Sequence, residues 1–174
     1  NGFCSGVVND CFDPKVIYDQ GSGRFVAVVL ELNLSTGSSD TSFLHVMVSK
    51  TSAPGNLTTD WDKFRQAAGV TISGTPGWFD YPGLGVSPDA VVVTGNIFPS
   101  SGSLLGTKIR VFDKVELYDG DAVATFVDVD TPYSGGDPSG SGGSIQPAHH
   151  FGSPPSGVFY LLQSWDATNL RVVA

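Results

Sequence analysis

The segment Asp13-Pro14-Lys15-Val16 leads into the apolar run Arg24-Phe25-Val26-Ala27-Val28-Val29, and this order recurs twice in weaker form. The second copy passes from Asp80-Tyr81-Pro82-Gly83-Leu84 into Ala90-Val91-Val92-Val93-Thr94. The third passes from Gln146-Pro147-Ala148-His149 into Gly157-Val158-Phe159-Tyr160-Leu161. The copies start roughly 65 to 68 residues apart, and a period of that order indicates stacked supersecondary units.

Each unit has the composition of a small antiparallel sheet. Val, Thr, Phe and Tyr are plentiful, and they suit pleated, half-buried surfaces. We therefore predict an all-β protein of β-propeller type, built from antiparallel four-stranded blades that form an incomplete ring. The single propeller-type region 1–174 divides into units at about 12–74, 75–130 and 145–174, with a Gly/Ser/Pro-rich connection at 131–144.

The strand order is predicted to repeat from unit to unit. In the first unit we expect strands at 16–19, 24–32 and 43–49, and residues 61–64 start either a fourth strand or a short helical turn. In the second unit we expect strands at 84–86, 90–98, 107–113 and 122–129, with a short glycine-capped helix at 114–120. In the third unit we expect strands at 148–151, 157–165 and 170–174. The chain stops inside that last strand, which predicts either a fragment or a sheet completed by another chain.

Composition excludes some classes of partner. The formal net charge is -8 and the pI is about 4.5, which argues against nucleic-acid binding and against docking on an anionic membrane. No apolar stretch approaches the roughly 18 residues of a membrane helix, so no membrane insertion is expected.

Several features favour a secreted or cell-surface protein. Cys4 and Cys11 enclose six residues, and we expect a small disulfide loop, with two buried thiols as the alternative. Asn33 and Asn56 begin N-glycosylation sequons, so a glycoprotein is expected. The chain has no signal peptide and no initiating Met, as a processed product would.

The order Asp-Pro-x-Val-x-Tyr-Asp, Gly-Arg-Phe-Val, Val-Ser-Lys-Thr and Asp-Tyr-Pro-x-Leu-Gly-Val-Ser-Pro-Asp occupies residues 13–19, 23–26, 48–51 and 80–89. It resembles secreted bacterial β-propeller proteins, which are similar in blade layout to sialidase and BNR-repeat propellers. That resemblance implies an Asp-box between the third and fourth strands, where this chain has Asp60 and Trp61 without the box spacing. It also implies three arginines that clamp a carboxylate, but no arginine here starts an inner strand.

The polar residues at the predicted inner strands form the candidate binding site. In a propeller these strands start near one end of the central channel, which would bring Asp13, Asp80, His149 and His150 together. Such a group could bind a cation. Alternatively, the two aspartates cap turns before proline, and adjacent histidines in a strand point to opposite faces.

The remaining acidic residues allow weaker inferences. The loops that contain Asp119, Asp121, Asp128, Asp130 and Asp137 would suit Ca²⁺ or form a solvated acidic surface, and no other cofactor is expected. Glu31 lies within an apolar strand. It is paired, for instance with Arg24 or Lys50, or has a raised pKa suited to acid catalysis, or lies at the outer end of the strand.

No sequence motif names a reaction. No nucleophile turn and no phosphate-binding glycine loop is present. We therefore expect a non-catalytic module for carbohydrate or protein binding, or for structural self-assembly into a homo-oligomer or filament through exposed edge strands. The alternative is a sialidase-like glycoside hydrolase, which would place two carboxylates about 5 to 10 Å apart in one cleft.

Overall fold

The computed structural model describes residues 4, 9–33, 41–121, 124–130, 144–153, 155–164 and 168–174. Within these residues the protein is all-β, with twelve strands in three antiparallel sheets and one short helix. One of the sheets curls into a half barrel. The expectation of an all-β antiparallel fold is confirmed.

Sheet 1 is a four-stranded meander in the order β1-β2-β3-β4. Its strands are β1 (Asp10–Asp19), β2 (Arg24–Leu32), β3 (Phe43–Ser49) and β4 (Trp61–Ala67). The bounds of β2 and β3 are those expected from their apolar patterns. Residues 61–64 start a fourth strand, so the helical alternative is wrong.

Sheet 2 has the order β5-β6-β7-β8-β9. Its strands are β5 (Val70–Ile72), β6 (Thr75–Val86), β7 (Ala90–Phe98), β8 (Gly106–Asp113) and β9 (Phe126–Asp130). Helix α1 (Lys114–Tyr118) follows β8 and begins where the Asp113 carboxylate accepts hydrogen bonds from the N–H groups of Val115 and Glu116. The predicted helix at this place is confirmed.

Sheet 3 has three strands, β10 (Ile145–Pro147), β11 (Leu161–Ser164) and β12 (Leu170–Val173), in the order β10-β11-β12. Here the sequence-based boundaries are partly wrong. The first strand lies at 145–147 and not at 148–151, because Gln146 pairs with Leu162 whereas residues 148–151 form no strand. The predicted strand at 157–165 begins only at Leu161.

The three sheets stack face to face, with sheet 2 in the middle. Side chains alternate along a strand, so each central strand supplies two faces. Val26 and Val28 of β2 pack with Val91 and Val93 of β7 in the core between sheets 1 and 2. On the other face of sheet 2, Val92 and Ile109 pack with Ile145 and Leu161 of sheet 3. Both faces of sheet 2 are covered in this way, which explains why residues 90–93 of β7 form a continuous apolar run.

Glycines allow the closest approaches between the layers. Between the layers, a Cβ at Gly83 would meet Pro147 and Gln146, whereas within sheet 2 a Cβ at Gly95 would collide with the ring of Phe79 on the neighbouring strand. Gly85 lies against the carbonyl of Ala148 and the ring of Phe159. The first strand of sheet 3 therefore packs on the backbone of β6, which is a reason for glycine at these positions.

The repeat corresponds to a shared structural feature. In β1 the register shifts between Phe12 and Lys15, and in β6 it shifts between Asp80 and Gly83. Each shift contains a proline preceded by a residue with positive φ, Asp13 at 49° and Tyr81 at 49°. The first two repeats therefore begin with the same β-bulge.

Candidate functional site

The structure brings Asp13 and Asp80 near enough for their charges to interact. Burial raises the pKa of Asp80, a hydrogen bond from the Tyr81 backbone opposes that rise, and the negative charge of Asp13 adds to it. Both side chains are half-buried beside the two bulges. The Nζ atom of Lys15 lies 5.3 Å from the centre of the Tyr81 ring, which places a cation at the same surface.

His149 and His150 lie at the opposite end of these strands. His149 Nε2 is 3.1 Å from the carbonyl oxygen of Tyr18, and the His150 amide donates to the carbonyl of Val86 at 3.0 Å. Tyr18 is five residues beyond Asp13, a separation of about 15 Å along a strand. The four residues therefore do not share one channel mouth, because the third repeat enters its sheet in a different register.

His150 occupies an unusual environment. Its ring stacks on Phe159 with the ring centres 5.0 Å apart and lies 6.0 Å from the centre of the Tyr160 ring. Neither ring nitrogen is exposed or hydrogen-bonded. Buried polar atoms are usually hydrogen-bonded. The His150 imidazole instead packs through its ring face, and both of its nitrogens are left without hydrogen bonds.

A polar cleft of about 250 Å³ lies at this end of the stack. The buried carboxylate of Asp19 forms an ion pair with Lys114 at 2.7 Å and accepts a hydrogen bond from the Tyr118 hydroxyl at 3.0 Å. Burial alone would raise the pKa of Asp19, but the hydrogen bonds from Lys114, Ser22 and Tyr118 together lower it. Lys114 also donates to the Ser87 carbonyl at 3.0 Å, so the cluster joins the turns of sheets 1 and 2 to the start of α1.

A second polar cluster lies on the outer face of sheet 1, the face turned away from sheet 2. Glu31 is only 1% exposed, and its two oxygens accept bonds from Asn9, His45 and Arg65 at 2.7 to 2.8 Å. The bonds from Arg65 are the main reason that the pKa of Glu31 falls from 4.5 to about 2, and burial opposes them. The suggestion of a raised pKa is therefore wrong, and the partner is Arg65 rather than Arg24 or Lys50.

The rest of that outer face is an apolar groove of about 870 Å³. Its lining includes Ala27 and Val29 of β2, together with Val16, Leu57 and Trp61. Val16 is 62% exposed and Leu57 51% exposed, which is high for apolar side chains beside a groove. Lys15 and Ser52 supply its few polar lining groups, so the groove suits an apolar partner better than a sugar.

The outer face of sheet 3 is also apolar. Tyr160, Leu162, Leu170 and Val172 lie on this face, because their neighbours Leu161 and Val173 face sheet 2. Leu170 and Val172 are 68% and 67% exposed, and the other two are more than 40% exposed. A contiguous cluster of exposed apolar side chains is typical of an interaction surface.

The four arginines do not form a clamp for a substrate carboxylate. All four already have partners within the chain: Glu31 for Arg65, Asp128 for Arg110, the Tyr118 carbonyl for Arg24 and Gln163 for Arg171. The bonds to Glu31 and Asp128 are bidentate, at 2.7 to 2.9 Å. Asp60 accepts bonds from the amides of Gly55 and Asn56, so it organises the turn before β4 where an Asp-box was sought.

The other predicted sites have separate outcomes. Cys4 and Cys11 are joined as a disulfide, which is confirmed. Asn56 is exposed and Asn33 half-buried, whereas Ser35 of the Asn33 sequon lies outside the described residues, as does Asp137. Glycan occupancy stays a prediction. The described part of the chain shows no group of three or more His, Cys, Asp or Glu side chains arranged to hold a metal, and Ca²⁺ binding stays a prediction.

Sequence reasoning missed the Asp19–Lys114 pair. Asp19 ends the first hairpin strand and Lys114 begins α1, and nothing in either segment indicates that they meet.

Among the described residues, none belongs to a helix long and apolar enough to cross a membrane.

Comparison with known proteins gives no match: no family model, no curated protein and no solved structure is similar to this chain.

Proposed function

We propose that this chain is a non-catalytic module of propeller type, secreted or exposed at a cell surface, that binds or assembles through the open faces of its sheet stack. The observation that carries the proposal is the outer face of sheet 3. This face exposes four apolar side chains at one end of the stack. The two interfaces inside the stack are also formed by apolar sheet faces.

The propeller arrangement is supported by the order of the layers. Each of the first two sheets is a meander that contains a proline bulge, in β1 and in β6, and consecutive sheets along the chain are neighbours in the stack. Blades of a propeller pack in this sequential way. A stack of three such layers leaves one open face at each end, and burying apolar surface there is favourable by about 25 cal/mol per Å².

The chemistry of the two open faces favours a polypeptide partner over a glycan. Sugars are usually held by polar groups around an aromatic platform, whereas the groove on sheet 1 is lined largely by aliphatic side chains, proline and alanine. The face of sheet 3 is also mostly aliphatic. Both surfaces resemble the inside of a β-sandwich more than a carbohydrate site.

A sialidase-like hydrolase is a second candidate because of one observation, the raised pKa of Asp80 beside Asp13 and Tyr81. A carboxyl group with a raised pKa near a second carboxylate is the pattern of a glycosidase acid. Against it stand the four arginines, all engaged within the chain. We therefore treat Asp80 as part of a structural bulge.

The experiment compares the wild-type chain with Val172→Asp, which places a charge on the outer face of sheet 3. Association with itself in sedimentation velocity, and binding to a defined polysaccharide panel, are measured for both. Association that Val172→Asp weakens supports the proposal. No association of either kind, or turnover of chromogenic glycosides that Asp80→Asn abolishes, overturns it.

A further inference from the structure

We propose that two copies of this chain associate head to tail, with the outer face of sheet 3 of each copy packed on the outer face of sheet 1 of the other. Two copies then close one ring of six sheets. This inference rests on the proposed function, and it commits that function to a second copy of the chain as the partner.

The stack has a direction, and this direction makes its two ends different and complementary. Sheet 1 packs one of its faces on sheet 2. Sheet 2 packs its other face, the one turned away from sheet 1, on sheet 3. If a fourth sheet were added to the stack in the same way, it would pack on the outer face of sheet 3. The face it would use is the one equivalent to the outer face of sheet 1. A head-to-tail contact between copies therefore repeats the interface that already exists twice within the chain.

The two end faces also match in chemistry. Sheet 3 offers exposed Leu162 and Val172, and sheet 1 offers the groove lined by Val16 and Leu57. The buried carboxylate of the sheet 1 face, Glu31, already has a cationic partner, because Arg65 binds it directly at 2.7 Å. Packing a second sheet over this face therefore does not bury an uncompensated carboxylate.

The number of sheets is consistent with closure by two copies. Closed propellers usually have about four to eight blades. The described residues of one copy form three sheets, so two copies would supply six, within that range, and three copies would supply nine. A head-to-tail contact gives a closed ring when its rotation returns to the start, and an open filament otherwise.

Net charge predicts how this association responds to salt. Each copy carries a formal charge of -8, so two copies repel each other at low ionic strength. The proposed contact surfaces are apolar. Added salt should therefore strengthen the dimer, whereas a contact held by ion pairs would weaken.

The test uses three matched Val→Asp variants at exposed positions. Val16→Asp alters the groove on sheet 1, Val172→Asp alters the face of sheet 3, and Val115→Asp on α1 is the control, since Val115 is 78% exposed and outside both faces. Sedimentation equilibrium should give a wild-type mass of twice 18.2 kDa. Each face variant should raise the dimer dissociation constant at least ~100-fold, because each buries an unpaired charge, and the control should leave it unchanged.

Mixing the variants separates head-to-tail contact from symmetric contact. A Val16→Asp copy and a Val172→Asp copy can form one unaltered interface between them, so their mixture should dimerise more tightly than either alone. If only one face variant weakens association, the contact joins like faces and the inference is wrong. A wild-type chain that stays monomeric at all concentrations also overturns it. If that monomer binds a polysaccharide or a purified protein through Val172, the proposed function survives; if it binds nothing, both fail.

Discussion

Replacing Glu31 by Gln should destabilise the protein in a manner that depends on pH. The carboxylate is buried and accepts four hydrogen bonds, two of them from Arg65. Its pKa falls from 4.5 to about 2, and one pKa unit corresponds to about 1.4 kcal/mol. The shift alone would give about 3 kcal/mol. The Arg65 side chain is 43% exposed, however, and water screens the pair, so we expect about 2 kcal/mol.

The sign follows from the direction of the shift. A carboxyl group with a lowered pKa in the folded state contributes stability that is fully present above pH 4.5 and is lost as the pH falls towards 2. The difference in unfolding free energy between wild type and Glu31→Gln should therefore be constant from pH 7 to 5. It should shrink to below about 1 kcal/mol near pH 2, where about half of the wild-type carboxyl groups are protonated in the folded state.

Urea denaturation followed by tryptophan fluorescence at pH 7, 5, 3.5 and 2.5 measures this difference. The matched control is Glu116→Gln on α1, whose side chain is half-buried and accepts a bond from Thr125. We expect it to cost less than about 1 kcal/mol. A deficit for Glu31→Gln that stays constant down to pH 2.5, or that is absent at pH 7, would refute the reasoning.

Three further predictions concern the packing of the stack. Gly95→Ala should cost about 2 kcal/mol or more of unfolding free energy, because its Cβ collides with a buried ring, whereas Gly55→Ala, with open space around it, should be neutral in the same melt. Lys114→Met should cost about 3 kcal/mol at pH 7 by leaving Asp19 buried without its cation. That deficit should shrink below pH 4 as Asp19 is protonated, and a pH-independent deficit would contradict this account. His150→Phe should raise stability by about 1 kcal/mol, since both ring nitrogens are buried without partners, and a lower melting temperature would show that they are satisfied.

The parts of the fold that sequence predicted well are those governed by local patterns. The strands at 24–32 and 43–49 are apolar runs with polar ends, and both have the expected bounds. The helix at 114–118 has its capping aspartate immediately before it. Local chemistry decides such elements, so one sequence suffices to find them.

The strand boundaries predicted for the third repeat were wrong because its proline does not occupy the same register position as the prolines of the first two repeats. Pro147 was aligned with the bulge proline Pro82, but in the fold it ends β10 and packs against Gly83. The first half of β6 was missed for a related reason. Its Thr75-Pro76-Gly77 start has the composition of a turn, and it becomes a strand because β5 pairs with it, whereas β7 pairs with β6 only from Trp78 onward.

The partner of the buried Glu31 carboxylate could not be predicted from the sequence, for a different reason. Glu31 binds Arg65, 34 residues away, because β2, β3 and β4 pair in a register that places both residues beside His45. Predicting that contact requires the register of the paired strands. The pattern of apolar residues shows only which side chains share a face of the sheet. The apolar residues of the open outer faces were visible in the sequence, but their exposure depends on the packing of the whole stack.

The most direct test of the account is a crystal structure of the full chain, read for what lies against the outer face of sheet 3. The account predicts that the outer face of sheet 1 of a second copy packs about 10 Å away across interdigitated apolar side chains, and that Val172 is buried there. A chain in which Val172 and Leu162 are solvated, or covered only by a small polar lattice contact, would contradict the central claim.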